Sequence, residues 1–219
     1  MSAAELLMWI RGPALQFATV VFLIGVVVRI LEILVLGRKQ DLAAARGSAL
    51  AGGLRTIFSR SVPDHGTLQR STLNLIAGYI FHFGFFLALF FFAPHILLLH
   101  DVFGVYWPSL PTQFIDAVTV VTMITLLAVL VHRINNKVMR YLSRSTDYLA
   151  WLLTFLPVLT GYLAFHRIGL SPPLLMALHI GSVELLMVLF PFTKLMHAFT
   201  LVMARYYNGA MAGRKGVNA

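Results

Sequence analysis

The sequence predicts an all-α integral membrane protein, a bundle of five transmembrane helices. Two properties of its composition indicate this class: 59% of the 219 residues are hydrophobic and only 11% are charged. A soluble domain carries about 25% charged residues. The third observation is that the apolar residues fall into runs of about twenty, the length that an α-helix needs to cross a membrane.

The predicted spans cover residues 14–36, 74–99, 114–134, 148–165 and 173–203, joined into a single domain that includes a polar connector at 37–73. The first span is expected to begin after Gly12-Pro13 and to be retained, because it is too long for a signal-peptide core and lacks a basic leader. Pro94 is expected to kink the second span near its end. We also expect a short interfacial amphipathic helix at 53–62 and a disordered glycine-rich C-terminus.

Lysine and arginine residues predict the orientation of the chain. The formal net charge is +9, and most of the basic residues fall on one side of the predicted spans: Arg38, Lys39, Arg46, Arg55, Arg60, Arg70, Arg133, Lys137, Arg140, Arg144, Arg205, Arg214 and Lys215. The opposite side carries only Arg11 and Arg167. The positive-inside rule therefore predicts a periplasmic N-terminus and a cytoplasmic C-terminus. These charges are expected to meet anionic membrane lipid and not nucleic acid.

The sequence contains no cysteine. Disulfides, covalently attached c-type haem and protein-ligated iron–sulfur clusters are therefore excluded from this chain. Any redox centre that the chain itself holds must use histidine or methionine as ligands.

Two histidines in the last apolar run, His179 and His197, lie eighteen residues apart. In one continuous helix that spacing makes five turns, so both imidazoles share a face and lie about 27 Å apart along the axis. The hydrocarbon core of a bilayer is about 30 Å thick. One histidine is therefore expected near each membrane surface, an arrangement typical of a two-haem ladder.

The second span supplies predicted partners for both histidines. His82 lies at a depth similar to that of His197, because the two spans run antiparallel, and this pair can bind one haem from both sides. For His179 the candidates are His95 and His100. On an ideal helix His95 is turned about 140° away from His82, whereas His100 shares its face but lies at or beyond the membrane surface. We prefer His95, since the Pro94 kink can redirect it; histidines bound only by packing and hydrogen bonds are the alternative.

Two segments carry a resemblance to a known family. Residues 178–199, LHIGSVELLMVLFPFTKLMHAF, and residues 81–84, FHFG, resemble the cytochrome b (gamma) subunit of respiratory nitrate reductase. The family includes membrane cytochromes of heterodisulfide-reductase-like and dissimilatory-sulfite-reductase-associated complexes. The resemblance implies that the cytoplasmic-side haem is held by His82 and His197 and the periplasmic-side haem by His179. The position that matches the family's fourth ligand is Phe92, so either His95 substitutes or only one haem binds.

Other polar residues fit such a site less specifically. Lys194 lies one turn before His197, where it pairs with a haem propionate or extends to the cytoplasmic surface. Glu184 lies in mid-membrane, where a carboxyl group either relays protons or forms a contact between helices. His166 and Arg167 are candidates for a quinol pocket, with a simple interfacial role as the alternative.

The sequence and the resemblance together predict a diheme b-type cytochrome in the bacterial cytoplasmic (inner) membrane. Such a chain holds two haem b groups and exchanges electrons between the quinone pool and an iron–sulfur protein on the cytoplasmic face. It is then the quinone-reactive anchor of a respiratory oxidoreductase complex and not an enzyme alone. The alternatives are a single-haem anchor and a non-redox transporter or assembly protein whose histidines bind metal or protons.

Overall fold

A computed structural model describes residues 1–36 and 42–217, and all of its regular elements within these ranges are helical. The helices are α1 (Ala3–Val35), α2 (Ala49–Ser59), α3 (His65–Phe91), α4 (Ala93–Phe103), α5 (Thr112–Asn135), α6 (Lys137–Leu142), α7 (Ser145–His166), α8 (Pro172–Leu189) and α9 (His197–Arg214). Two 3-10 turns, Phe190–Phe192 and Lys194–Met196, lie between α8 and α9. The basic residues Arg38 and Lys39, predicted in the connector, lie outside the described residues.

Five helical segments are long and apolar enough to cross a membrane: α1, α3, α5, α7 and the segment Pro172–Phe192. This confirms the prediction of a multi-pass, all-helical membrane protein. Many large apolar side chains on these segments are exposed, including Phe17, Leu31, Phe83 and Ile124. An exposed apolar surface is what a lipid environment requires of a spanning helix.

Helix α1 begins earlier than predicted. Ser2 accepts a hydrogen bond from the Glu5 amide at 3.2 Å, and the Glu5 carboxylate accepts one from the Ser2 amide at 2.7 Å, which forms a capping box. A π-helical turn, Ile10–Ala14, then carries the helix past Pro13. The helix thus starts before Gly12-Pro13, because the wider turn accommodates the proline, and the start of the membrane span after Pro13 stays a prediction.

The second and fifth predicted spans are interrupted. The interruption of the second span confirms the prediction that Pro94 kinks it near its end, whereas the prediction that the fifth span is one continuous helix is wrong. Phe92 has extended backbone angles (φ −82°, ψ 127°) between α3 and α4. The fifth span breaks at Thr193, which is also extended (φ −120°, ψ 175°). Pro94 and Pro191 lie beside these breaks, and a proline lacks the amide hydrogen that a continuing helix needs. His179 and His197 therefore do not share one continuous helix.

The connector contains more helix than predicted. α2 covers Ala49–Ser59, close to the predicted amphipathic helix, and α3 starts at His65, well before residue 74. Asp64 precedes α3 and accepts hydrogen bonds from the hydroxyl and the amide of Thr67. These bonds hold the pKa of Asp64 below its usual value, and the bond from the Thr67 hydroxyl has the largest effect.

The chain divides into two compact units, which consist of residues 1–19 with 71–188 and residues 20–70 with 189–219. Helices α1, α3 and α8 each run from one unit into the other. The prediction of a single domain stays a prediction.

Within the first unit, α5 packs against α3 and α7. A side chain on Gly84 of α3 would overlap the hydroxyl of Thr122, so glycine is required for this close approach. The indole nitrogen of Trp151 in α7 donates to the Leu126 carbonyl of α5 at 2.8 Å. The Thr122 hydroxyl donates to Val118 of its own helix at 2.7 Å, so that buried polar group is satisfied without water.

Within the second unit, α2 and α9 pack through glycines. A Cβ on Gly52 would lie 2.8 Å from the Cα of Gly213 and would also overlap the Gly209 carbonyl. Gly209 and Gly213 are spaced by four residues, the arrangement that lets two helix backbones approach closely. The predicted disorder of the C-terminus is thus wrong up to Arg214, because its glycines form a helix–helix contact.

Arg205 of α9 completes the hydrogen bonding at the end of α2. Its guanidinium donates to the carbonyls of Ile57 and Arg60 at 3.2 and 3.1 Å and to the Ser61 hydroxyl at 2.8 Å. The last carbonyls of a helix lack amide partners and carry partial negative charge, which a cation at this position satisfies.

We expect Gly52→Ala to lower the free energy of unfolding by about 1–3 kcal/mol, the usual cost of forcing a methyl group into a packed contact. The neighbouring atoms are backbone and cannot rotate away. The matched control is Gly78→Ala, where no atom lies within 4 Å of the added carbon, and it should be neutral or stabilising by about 0.5–1 kcal/mol. Unfolding followed by circular dichroism in detergent compares the two. Equal stabilities would contradict the close α2–α9 contact.

Candidate functional site

Two histidines of the first unit lie side by side. His95 occupies the first turn of α4, and His179 lies at the start of the third turn of α8. Their ring centroids are 6.1 Å apart, and the ring planes differ by 22°. The sequence predicted this pair as one of two alternatives.

The distance between the two rings fits a shared metal ion. A metal–imidazole bond is about 2.0–2.1 Å long, and each ring centroid lies roughly 1 Å beyond its ligating nitrogen. Two imidazoles that bind one ion from opposite sides therefore have centroids roughly 6 Å apart. The separation of His95 and His179 is within this range.

The His95 ring is oriented by a hydrogen bond to the end of α3. Its Nδ1 lies 2.9 Å from the Ala88 carbonyl, and because a carbonyl can only accept, Nδ1 is the donor. The neutral ring therefore has its lone pair on Nε2. A ligating histidine commonly has its other nitrogen bound in this way. Phe92 packs edge-on against the same ring, with centroids 5.4 Å apart.

The break before α4 is held by the loop that follows it. The Trp107 indole nitrogen donates to the Phe90 carbonyl at 2.6 Å, and the Leu110 amide donates to the Phe91 carbonyl at 3.0 Å. Phe90 is four residues before Pro94, so its carbonyl has no helical amide partner. These two bonds satisfy the free carbonyls at the end of α3. They thereby fix the start of α4 and the position of His95 in its first turn.

His179 occupies a recess above a glycine of α7. A Cβ on Gly161 would lie 2.9 Å from the His179 ring, so any larger residue would displace the imidazole. Nδ1 of His179 is 3.5 Å from the Thr160 hydroxyl, and the Ser182 hydroxyl donates to the His179 carbonyl at 2.7 Å. Thr160 and Ser182 also lie 3.0 Å from each other. This hydroxyl cluster faces Nδ1 and leaves Nε2 as the ligating nitrogen.

The other predicted ligand pair is divided between the two units, so each histidine is described separately. Nδ1 of His82 donates to the Gly78 carbonyl at 2.6 Å. Nδ1 of His197 donates to the Lys194 carbonyl at 2.8 Å, across the 3-10 turn that precedes α9. Both rings therefore have the same tautomer as His95. Their pairing stays a prediction.

His100 has different neighbours from His95. Its Nδ1 is 3.7 Å from the Asp101 carboxylate, and its ring packs edge-on against Tyr106 at 6.2 Å. About half of its side chain is exposed. The structure thus brings His95, and not His100, next to His179.

Glu184 is the most deeply buried acidic residue among those described, at 8% exposure, and its Oε1 has no hydrogen-bond partner there. Lys194 lies in the 3-10 turn before His197 and is exposed. Arg167 adopts the left-handed conformation (φ 56°) at the end of α7. Within the described part of the first unit, no hydrogen bond or ion pair joins Glu184 or Arg167 to the His95–His179 pair.

His166 has a partner that the sequence analysis did not identify. Its Nε2 lies 3.2 Å from Oδ1 of Asp116, in the first turns of α5. Gly161 and Trp107 were also missed. The antiparallel order of α5 and α7 could have indicated the His166–Asp116 contact, since it brings the start of one helix to the end of the other.

Comparison with known proteins found a relative of similar length. A protein of Nitratidesulfovibrio vulgaris (strain Hildenborough), described only as "Protein", is 30% identical over 203 residues, which are 90% of this chain and 89% of that protein. No family model matches the chain, and no solved structure matches it significantly. The relative's description names no cofactor or activity.

We expect Trp107→Phe to loosen the start of α4, because the Phe90 carbonyl loses its donor. The loss of one such hydrogen bond costs about 1 kcal/mol, so amides of α4 should exchange about fivefold faster in hydrogen-exchange mass spectrometry. Trp9→Phe is the matched control, since Trp9 is 54% exposed. If α4 exchanges at the same rate in both variants, Trp107 does not hold the break.

Proposed function

We propose that this chain, which belongs to the same family as the Nitratidesulfovibrio vulgaris protein, is a diheme b-type cytochrome and the membrane anchor of a respiratory oxidoreductase complex. It exchanges electrons between the quinone pool and an iron–sulfur protein on the cytoplasmic face. The observation that carries this proposal is the His95–His179 pair, with its ring separation of 6.1 Å and near-parallel planes.

The residues around this pair fit a haem ligated by two histidines. His95 presents Nε2 because its Nδ1 is bound to the Ala88 carbonyl, and Gly161 provides the space that the His179 ring occupies. Both rings are neutral ligands in this tautomer, and the bound carbonyl increases the electron density that His95 gives to a metal. The haem supplies reversible one-electron chemistry between ferric and ferrous iron.

The second haem is assigned to His82 and His197. This assignment rests on their predicted depths and on the resemblance to the nitrate reductase cytochrome b subunit. The tautomer of both rings supports this assignment, since each Nδ1 is bound to a backbone carbonyl. On the same grounds Lys194, three residues before His197, is assigned to pair with a haem propionate.

The orientation of the chain follows from its basic residues. The positive-inside rule assigns the connector, the α5–α7 loop and the C-terminus to the cytoplasm. In this orientation the His95–His179 pair is on the periplasmic side of a bacterial cytoplasmic membrane, and the basic cytoplasmic face is available to an iron–sulfur partner and to anionic lipid.

We expect two b haems per chain by pyridine haemochrome assay of the purified protein. His95→Ala and His179→Ala should each reduce this number to one, because each removes a histidine that would hold the same haem. His100→Ala is the matched control and should keep both haems. If His100→Ala loses a haem while His95→Ala does not, the assignment of His95 is wrong.

His82→Ala and His197→Ala test the other haem and should each lose one haem in the same assay. Each of the four double variants that remove one ligand from each pair should lose both haems. A well-folded preparation with its partners retained and without haem would overturn the cytochrome proposal and favour a non-redox membrane protein.

We further expect Gly161→Ala to lower the occupancy of the His95–His179 haem by at least half, because the new methyl group would displace the His179 ring. The reduced-minus-oxidised spectrum measures the remaining haem. Gly12→Ala serves as the control, as its added carbon contacts nothing and Gly12 has no predicted role in haem binding. Full occupancy in Gly161→Ala would show that this recess does not position the ligand.

A further inference from the structure

A basic cavity lies between α2 and α9, within the second unit. Its volume is about 250 Å³, and it is lined by Thr56 and Arg60, at the end of α2, and by Arg205 and Asn208 of α9. One water molecule takes about 30 Å³ of liquid, so the cavity has room for a group of several non-hydrogen atoms. Among the described residues no carboxylate lines it. Two arginines without an acidic neighbour favour an anion as the occupant.

Arg205 is held in place by the backbone that it caps. Its guanidinium donates to the carbonyls of Ile57 and Arg60 and to the Ser61 hydroxyl. A guanidinium has five N–H donors, so these three bonds leave two, one on Nε and one on Nη2. Donors on neighbouring nitrogens of an arginine bind two oxygens of a phosphate or a carboxylate at once. Because the group is already fixed, little side-chain entropy is lost when an anion binds.

Arg60 and Asn208 supply the other donors of the cavity. Both side chains are exposed, and neither makes a hydrogen bond or an ion pair with another described residue. The Thr56 hydroxyl donates to the Gly52 carbonyl at 2.8 Å, so it forms part of the wall and is not a donor to a ligand. The donors thus come from three side chains on two helices. A tetrahedral phosphate offers oxygens in several directions, whereas a carboxylate offers two in one plane, so this arrangement favours a phosphate.

An apolar residue lies in the same row of α9 as two of these donors. Leu201, Arg205 and Asn208 are spaced by four and three residues, so they share one face of the helix. Leu201 lies one turn before Arg205, nearer in sequence to the candidate membrane span Pro172–Phe192, and its side chain is 43% exposed. An exposed apolar side chain followed by a phosphate site suits a phospholipid, which presents an acyl chain and then a head group.

We propose that this cavity binds the phosphate of an anionic phospholipid. Arg205 and Arg60 contact its oxygens, and the Asn208 amide donates a further hydrogen bond. Free phosphate offers the same chemistry, and separate titrations distinguish the two sources. The site differs from a general attraction of basic residues to anionic lipid, because it requires an uncharged side chain at a defined position. No candidate haem ligand lines the cavity, so the site does not depend on the proposed function.

The test is a binding titration by native mass spectrometry on the purified full chain in detergent. The probes are dioctanoyl phosphatidylglycerol and inorganic phosphate, each added alone. Arg60→Gln should raise the dissociation constant of the lipid about tenfold, the usual effect of losing a hydrogen bond between charged groups. Asn208→Ala leaves the net charge unchanged and should raise this constant about fivefold, as expected for the loss of one uncharged donor.

The chain provides matched controls in Arg70→Gln and Gln69→Ala. Both residues are exposed, lie in the part of α3 that belongs to the second unit and do not line the cavity. Arg70→Gln removes the same charge as Arg60→Gln, and Gln69→Ala removes the same type of amide as Asn208→Ala. Each control should bind the lipid within twofold of the wild-type protein. All four substitutions are at exposed side chains, and Arg205 is left unchanged because it also caps α2.

Weaker lipid binding in Arg60→Gln and Asn208→Ala, with both controls normal, supports the phospholipid site. If phosphate binds with the same dependence on these two residues and the lipid does not bind, the ligand is free phosphate and the assignment to lipid is wrong. Equal weakening by Arg70→Gln and Arg60→Gln would reveal only a general attraction to positive charge. That result, normal binding in Asn208→Ala, or a wild-type chain that binds neither probe overturns the proposed site.

Discussion

Backbone carbonyls that have lost their amide donors are the constraint on which both the fold and the candidate site depend. In the apolar part of a membrane each carbonyl must find a donor within the protein. Pro94 removes a donor at the end of α3, and the Trp107 indole replaces it at the Phe90 carbonyl. The Ala88 carbonyl, one turn before the break, accepts from His95. The bond that satisfies the backbone therefore also sets the tautomer of a candidate ligand.

The five spans could be predicted from the sequence because hydropathy and length decide them. The positions at which the helices break could not be predicted, because a proline interrupts a helix at some positions and is accommodated at others. A π-helical turn continues α1 past Pro13, and Pro157 lies inside α7, whereas α3 and α8 end near Pro94 and Pro191. The outcome depends on donors and contacts that are distant in the sequence, such as Trp107. Hydropathy carries no information about them.

The histidines of the candidate site could be identified from the sequence. Their predicted positions, however, assumed that the fifth span is one continuous helix, and it is not. Because Thr193 interrupts the helix, the eighteen-residue spacing no longer implies that His179 and His197 share one helix face. The choice between His95 and His100 depended on how Pro94 redirects the chain, and only the folded break places His95 beside His179. The role of Gly161 could not be predicted either, since a glycine in an apolar run has no local signal for what packs on it.

The partner of each bound nitrogen divides the histidines into two chemical classes. Nδ1 of His95, His82 and His197 donates to a backbone carbonyl, which has no charge and cannot take a proton, so these rings are suited to remain neutral ligands. His166 instead donates to the carboxylate of Asp116, a charged acceptor at 3.2 Å. The same type of side chain thus has an uncharged acceptor in one place and a charged acceptor in the other. Three aromatic contacts, through Phe92 and Phe165, connect the rings of His95 and His166, so these two kinds of histidine are neighbours within the first unit.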